Sequence, residues 1–225
     1  GLTLIRFSDK EPYWCAVGLR QADMERPSLQ PNESGLRFGF GKNWRSYLSR
    51  MDESRKAMAV QSLRDWLGQS SLAGRRFLDI GSGSGLFSLA AHQLGAEVSS
   101  FDFDPDSVAC TESLRDSVGR PATWKIQRAS VLNEAWMNSL GEFDYVYSWG
   151  VLHHTGDMWR AIDLAAKRVK PGGRFVVAIY NDQGWISRYW KWEKKLFNKY
   201  PLARAFFIMA HLPYPFLATV LWHRL

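Results

Sequence analysis

The sequence predicts an α/β fold in which helices cover both faces of a doubly wound parallel sheet, and three observations lead to it. A short apolar strand, Arg76 to Ile80, runs into a glycine loop. A helical segment, about Leu86 to Leu94, follows the loop. A second strand, Val98 to Phe101, then ends at an acidic residue, Asp102. Elements in this order form half of a doubly wound nucleotide-binding sheet.

The glycine loop is the predicted binding element. Gly81, Gly83 and Gly85, with Ser82 between the first two, allow positive φ angles and a close approach of the backbone to a ligand. The helix that follows presents N–H groups without partners in the helix. Asp102 lies where ribose hydroxyls are bound in such folds.

The spacing of the glycines indicates which ligand fits. Dinucleotide-binding loops follow Gly-x-Gly-x-x-Gly and wrap around a pyrophosphate. Here the pattern is Gly-x-Gly-x-Gly, and Asp79 precedes the first glycine by two residues. A carboxylate there would repel a phosphate, so we expect a ligand with a cationic amine.

Length and composition indicate one main domain. A chain of 225 residues with 46% hydrophobic residues buries one substantial core. The net charge of +7 suits nucleic acid, anionic lipid or an acidic substrate, and equally serves solubility alone. Cys15 and Cys110 are too far apart in sequence to indicate a disulfide framework or a metal site. With no signal segment and no run of 18 apolar residues, we expect a cytoplasmic protein, with contact at a membrane surface as an alternative.

Two segments precede the predicted sheet. Residues 1–41 form an N-terminal arm, in which Thr3 to Phe7 is a candidate strand. Residues 42–70 form a helical cap, whose second helix Asp52 can cap. The cap helices either serve packing alone or cover the binding site. In the second case the substrate-side residues include Trp44, Arg45 and Tyr47.

The predicted sheet domain covers residues 71–182. Asp104-Pro105 begins a helix, and Asp157 begins another. The remaining predicted elements are a helix to about Val118, a strand from Thr123 to Arg128, a helix from Leu132 to Leu140, a strand from Phe143 to Ser148, a helix to Val169, a turn at Pro171 to Gly173 and a strand from Arg174 to Tyr180.

Four motifs resemble those of class I S-adenosylmethionine (SAM) methyltransferases, which have Rossmann-like sheets. They are the loop from Asp79 to Gly85, the Phe143-Asp144 pair, the segment from Ser148 to Asp157, and Lys-Pro-Gly-Gly at 170–173. They occur in the family's order over about residues 75–181. The chain is most similar to the small-molecule type, such as ubiquinone and natural-product methyltransferases.

The resemblance implies a cofactor and its contacts. The cofactor would be SAM, and the product S-adenosylhomocysteine. Asp79 and the glycine loop would hold the amino-acid end, and Asp102 the ribose. The adenine and the far end of the cofactor would contact Phe103, Ser130, Val131 and Trp149. The family often has Asp at the place of Ser130, whose hydroxyl can still accept a hydrogen bond.

An oxygen acceptor needs a base, and His153 and His154 are the candidates because imidazole can be neutral at physiological pH. Alternatively, one of these two histidines serves only in packing. Without a third ligand nearby, the two do not indicate a metal site. Tyr180 and Asn181 are further substrate-side candidates.

The acceptor is predicted to be a small, partly apolar hydroxyl compound. The Asn/Asp-Pro-Pro-aromatic motif typical of enzymes that methylate amide or exocyclic nitrogens is missing, since the chain has Ser148-Trp149-Gly150-Val151 there. The alternatives are an RNA-modifying methyltransferase, with nucleic acid the less favoured partner, and a non-catalytic SAM-binding module.

The last predicted segment, residues 183–225, is helical, aromatic and basic. It is a lid over the substrate pocket, a membrane-surface contact over residues 185–225, or a face for homo-oligomer formation. The final strand hairpin usual in the family is not evident. Because a bare edge of a five-stranded sheet promotes association, we expect the hairpin to lie on a segment outside this chain.

Overall fold

A six-stranded sheet forms the middle layer of the structural unit that ends at Tyr180. The computed structural model describes residues 13–17, 51–180 and 185–211. The strands are β1 (Tyr13–Val17), β2 (Arg76–Ile80), β3 (Glu97–Asp102), β4 (Trp124–Arg128), β5 (Phe143–Trp149) and β6 (Val169–Tyr180). Their order is β1-β6-β5-β2-β3-β4, with β2 to β6 parallel and β1 antiparallel to β6. The predicted doubly wound sheet is therefore confirmed.

The helices between residues 52 and 180 lie where the sequence predicts them, with ends shifted by a few residues. Asp52, Asp104 and Asp157 cap three of them by accepting backbone N–H groups. The helices are α1 (Glu53–Leu67), α2 (Leu86–Gln93), α3 (Pro105–Asp116), α4 (Glu134–Ser139), α5 (Met158–Ala166), α6 (Trp185–Lys199) and α7 (Pro201–His211).

Both faces of the sheet are buried. On one face, Leu63 of α1 and Leu89 of α2 pack with Phe77 of β2. On the other, Met137 of α4 and Ile162 of α5 pack in a second apolar cluster. Strands buried on both sides are near-continuous apolar runs, as in Phe175 to Ala178 of β6.

The chain order places a cleft between β2 and β5. From β2 the sheet grows to β3 and β4 on one side, and the chain then crosses to β5 and β6 on the other. In open α/β sheets, ligands bind at such a switch point, beyond the carboxyl ends of the strands.

The edge of the sheet differs from the prediction. β1, from within the predicted N-terminal arm, pairs with β6 from Tyr13 opposite Tyr180 to Val17 opposite Val176. The antiparallel edge is thus formed by an N-terminal strand, and β6 is not bare on that side. The candidate strand Thr3 to Phe7 lies outside the described residues.

The second structural unit begins at Asn181, after β6. Its helices α6 and α7 pack on each other through Trp192 and Phe207, whose rings meet edge to face at 6.1 Å. Glu193 is buried, and its Oε1 lies 2.8 Å from Nε2 of His211. No helix among the described ranges is long and apolar enough to cross a membrane.

Candidate functional site

A cleft of about 380 Å³ opens at the carboxyl ends of β2, β3, β4 and β5. This volume lies within the range of small-molecule sites. The cleft brings together every predicted cofactor-binding residue except Gly85, which starts α2 behind it. These lining residues are Asp79, Gly81, Ser82, Gly83, Asp102, Phe103, Ser130, Val131 and Trp149.

The glycine loop requires its glycines. Gly81, Gly83 and Gly85 have φ angles of +76°, +56° and +79°. A Cβ on Gly81 would lie 2.5 Å from Cγ1 of Val151, the residue that faces it from beyond β5. Real Cβ atoms do not approach so closely, so the two sides of the cleft meet here without space for a side chain.

Asp102 holds the glycine loop in place. Its Oδ2 accepts the N–H of Gly83 at 3.0 Å, and its Oδ1 accepts the N–H of Asp104 at 2.9 Å. Burial raises the pKa of Asp102, and these two N–H groups oppose the rise. Each carboxylate oxygen has a second acceptor position, so a pair of ligand hydroxyls can still bind.

Asp79 is a buried carboxyl in the wall of the cleft, only 2% exposed. Its pKa is raised to about 7, chiefly by desolvation and also by the charge of Asp102, while a hydrogen bond from Ser88 opposes the rise. A carboxylate that has lost its water favours a cationic partner, since a nearby positive charge stabilises its ionised form.

The far wall near β4 is largely apolar. Val131 is buried, and Ser130 is half-buried with its Oγ accepting the N–H of Leu132 at 3.3 Å. Phe103 lies at the rim and is 49% exposed. Together they form a site for a flat, mostly apolar group.

An aromatic wall forms the opposite side, and only one of its members, Trp149, is among the residues predicted from the sequence. Trp149 stacks on Trp66 of α1, with ring centroids 4.5 Å apart. Tyr147 and Phe87 also line the cleft, and their rings lie 4.9 Å apart. Tyr147 was identifiable because it precedes Trp149 by two residues on a strand and so shares its face.

The two predicted base candidates, His153 and His154, differ in their surroundings. His153 and His154 lie in a short 3₁₀ turn, Leu152–His154, with ring centroids 3.9 Å apart. His154 is exposed and lines the cleft. His153 is half-buried, and desolvation and then the charge of His154 lower its pKa to about 4. His153 is therefore neutral at physiological pH.

The predicted substrate-side residues are not located by the structure. Trp44, Arg45, Tyr47 and Asn181 lie outside the described residues. Tyr180 is the last residue of β6, and only its backbone is described.

The residues that line the cleft fit the predicted cofactor. A buried carboxyl suits an α-amine, Asp102 has acceptor positions for ribose hydroxyls, and the apolar wall at Val131 suits adenine. The glycine loop excludes side chains from the space between these groups.

The chain matches a family model described as a methyltransferase domain over residues 47–215. A ubiquinone biosynthesis O-methyltransferase of Methylobacterium sp. is 34% identical over 119 residues, which are 52% of this chain and 46% of the relative. A ubiquinone biosynthesis O-methyltransferase of Xanthomonas oryzae is 34% identical over 112 residues, which are 49% of this chain and 45% of the relative. The chain thus matches under half the length of these relatives.

Among solved structures, the chain is similar to a SAM-dependent methyltransferase from Thiobacillus denitrificans in complex with S-adenosylhomocysteine. It is 22% identical to this chain, with a TM-score of 0.44. The similarity covers 64% of this chain and 52% of the other.

The first prediction concerns the stability effect of Asp79→Asn. A carboxyl whose pKa rises on folding, here to about 7, stabilises the folded state fully below its unfolded pKa, and the effect is lost as pH rises through 7. At about 1.4 kcal/mol per pKa unit, we expect the variant to gain roughly 2–4 kcal/mol of unfolding free energy at pH 8 and almost nothing at pH 4. Urea unfolding at both pH values measures this.

Asp144→Asn is the matched control. Partial desolvation of Asp144 is outweighed by hydrogen bonds from the Arg76 N–H and Lys170 Nζ, so its pKa is lowered. Its contribution is present above the unfolded pKa, and the variant should lose stability at pH 8. Loss of stability in both variants at pH 8 would contradict a net destabilising effect of the buried Asp79 carboxylate.

Proposed function

The chain belongs to the methyltransferase-domain family, and from that membership we propose that it transfers a methyl group from SAM to a hydroxyl group of a small, partly apolar molecule. The observation that best supports this is that Asp79, Asp102 and His154 line one cleft. A site for a cationic amine, a site for a diol and a candidate base therefore share one binding space.

Family membership confirms the prediction of a class I SAM-dependent methyltransferase domain. When bound, SAM supplies an activated methyl group on a sulfonium. Since the reagent is already activated, the protein contributes mainly orientation and proximity.

Seven side chains of the cleft have a proposed task in binding. Asp79 binds the α-amine, and Asp102 binds the ribose hydroxyls while it fixes Gly83. Val131 and Ser130 contact the adenine, with Phe103 at the rim. Trp149 and Tyr147 form the apolar wall along which the reacting groups lie.

His154 is the proposed general base. It is the member of the histidine pair that lines the cleft, whereas His153 is half-buried beside it. An imidazole in this position can take the proton of a phenolic or other hydroxyl group as the methyl group is transferred. The relatives named as ubiquinone biosynthesis O-methyltransferases support an oxygen acceptor.

The second structural unit has the composition of a membrane-surface contact, and we propose an anionic lipid bilayer as its partner. Residues 185–211 contain six Lys or Arg residues and one acidic residue, Glu193, which is buried. Large apolar side chains stand exposed beside the basic ones, namely Trp185, Trp190, Trp192, Leu202, Phe206 and Met209. Aromatic and basic residues on amphipathic helices bind at the interface of anionic bilayers.

We expect Asp102→Ala to weaken the binding of S-adenosylhomocysteine by about 1.5–3 kcal/mol, because hydrogen bonds to a charged group are lost. Isothermal titration calorimetry measures this. Asp106→Ala, a change at an acidic residue in the first turn of α3 outside the cleft, is the control. Wild-type affinity in Asp102→Ala would refute the assignment of the ribose site.

His154→Ala should lower kcat by about 10²–10⁴-fold and leave the affinity for S-adenosylhomocysteine unchanged, because a general base acts on the acceptor. A panel of phenols, catechols and hydroquinones serves as acceptor, with release of S-adenosylhomocysteine as the measure. His153→Ala is the neighbouring control and should change kcat less than tenfold. Equal effects of both variants would remove His154 as the base. No turnover on any acceptor, with cofactor still bound, would favour the non-catalytic module.

Binding to vesicles tests the proposed lipid contact. The chain should co-sediment with phosphatidylcholine vesicles that contain phosphatidylglycerol, but not with phosphatidylcholine alone, and salt should weaken the binding. Trp190→Ala with Phe206→Ala should reduce it, whereas Met58→Ala, an exposed apolar residue of α1, should not. Concentration-dependent self-association without vesicle binding would instead identify an oligomer face.

A further inference from the structure

A chain of buried hydrogen bonds runs from Asp79 away from the cleft. Ser88 of α2 donates its hydroxyl to Oδ2 of Asp79. The Oγ atoms of Ser88 and Ser100 lie 2.7 Å apart, and Nε1 of Trp124 donates to Oγ of Ser100 at 2.9 Å. Ser88, Ser100 and Trp124 are at most 3% exposed.

The donor and acceptor roles in this series of hydrogen bonds follow from the groups at its two ends, Trp124 and Asp79. An indole N–H can only donate, so Ser100 accepts from Trp124. The single proton of Ser88 is directed to Asp79, so the proton of Ser100 must be directed to Ser88. Every donor thus points towards Asp79, and the chain is complete only if the carboxyl group accepts.

We propose that Trp124, Ser100 and Ser88 are positioning residues that hold Asp79 as a carboxylate ready to bind the amine of the cofactor. This inference rests on the proposed function, in which Asp79 contacts that amine. None of the three residues lines the cleft, so they act only through Asp79.

These hydrogen bonds offset part of the large cost of ionising a buried carboxyl group. A carboxyl group that loses its water becomes harder to ionise, and for Asp79 the effect of burial exceeds that of the Ser88 hydrogen bond. A protonated Asp79 could donate its own proton to Ser88. The Ser88 proton would then point to Ser100, and the Ser100 proton would lose its place in the chain. The ionised carboxylate cannot donate in this way, and it accepts the Ser88 hydroxyl more strongly than a neutral carboxyl does, so the hydrogen bonds favour ionisation of Asp79.

Other titratable groups face this region from the packed elements. Asp102 at the end of β3 raises the pKa of Asp79 by its charge. Asp104 and His154 line the same cleft, and the ring of His92 on α2 lies 5.9 Å from that of Trp124. Ser88, by contrast, donates a hydrogen bond that stabilises the charged form of Asp79.

The experiment measures the affinity for S-adenosylhomocysteine by calorimetry between pH 5 and 9. In the wild type, the affinity should rise with pH and level off near pH 7, as Asp79 loses its proton. Ser88→Ala and Trp124→Phe should move the midpoint upward. If the midpoint of a variant lies one pH unit higher, the variant binds about tenfold more weakly than the wild type at pH 6. At high pH the affinities of the variants and the wild type should become equal.

Two further variants separate the possible outcomes. Ser148→Ala removes a buried hydroxyl that donates to the Ile80 carbonyl at 3.0 Å, and it should leave the midpoint unchanged. Asp79→Asn should abolish the pH dependence. If Asp79→Asn binds like the wild type at every pH, the proposed amine contact is wrong. If Asp79→Asn alone removes the dependence, and Ser88→Ala and Trp124→Phe keep the wild-type midpoint, the positioning role is wrong and the amine contact stands.

Discussion

The site depends on the burial of one carboxyl group at the end of a central strand. Asp79 lies next to the last residue of β2, with strands on both sides and Ser88 of α2 hydrogen-bonded to it, and it is only 2% exposed. A charge placed there is costly unless the ligand or the protein compensates it. The glycine loop brings the ligand close, and the hydrogen bond from Ser88 supports the charge from behind. The proposed specificity for a cationic ligand rests on this arrangement.

The aromatic wall connects the cleft to the helix that precedes the sheet. Trp66 of α1 stacks on Trp149, while Leu63 and Leu67 of the same helix are buried in the core. α1 is thus both part of the hydrophobic core and the support of one side of the cleft. A change in the packing of α1 would change the position of Trp149.

The sequence predicted those features that depend on neighbours along the chain. The glycine loop, Asp79 and Asp102 lie within one strand-loop-helix-strand unit, and their relative positions follow from local geometry. Phe87 was missed because its place in the cleft depends on how α2 packs against the sheet, whereas Tyr147 could have been found from the strand alternation that places it on the same face as Trp149. The hydrogen bonds from Trp124 to Ser100 and on to Ser88 join β4, β3 and α2, and no local pattern indicates them. The different surroundings of His153 and His154 depend likewise on the packing of the turn.

The order of the strands also has a consequence for folding. β2, β3 and β4 follow one another in the chain, and so do β5 and β6, but the cleft lies between the two groups. The hydrogen bond from Ser148 to the Ile80 carbonyl, which joins them, spans 68 residues. Because closing a long loop is entropically costly, we expect the contact that completes the cleft to form late in folding. A ligand that needs both sides can therefore bind only after the two halves have joined, and its binding stabilises the completed sheet rather than either half.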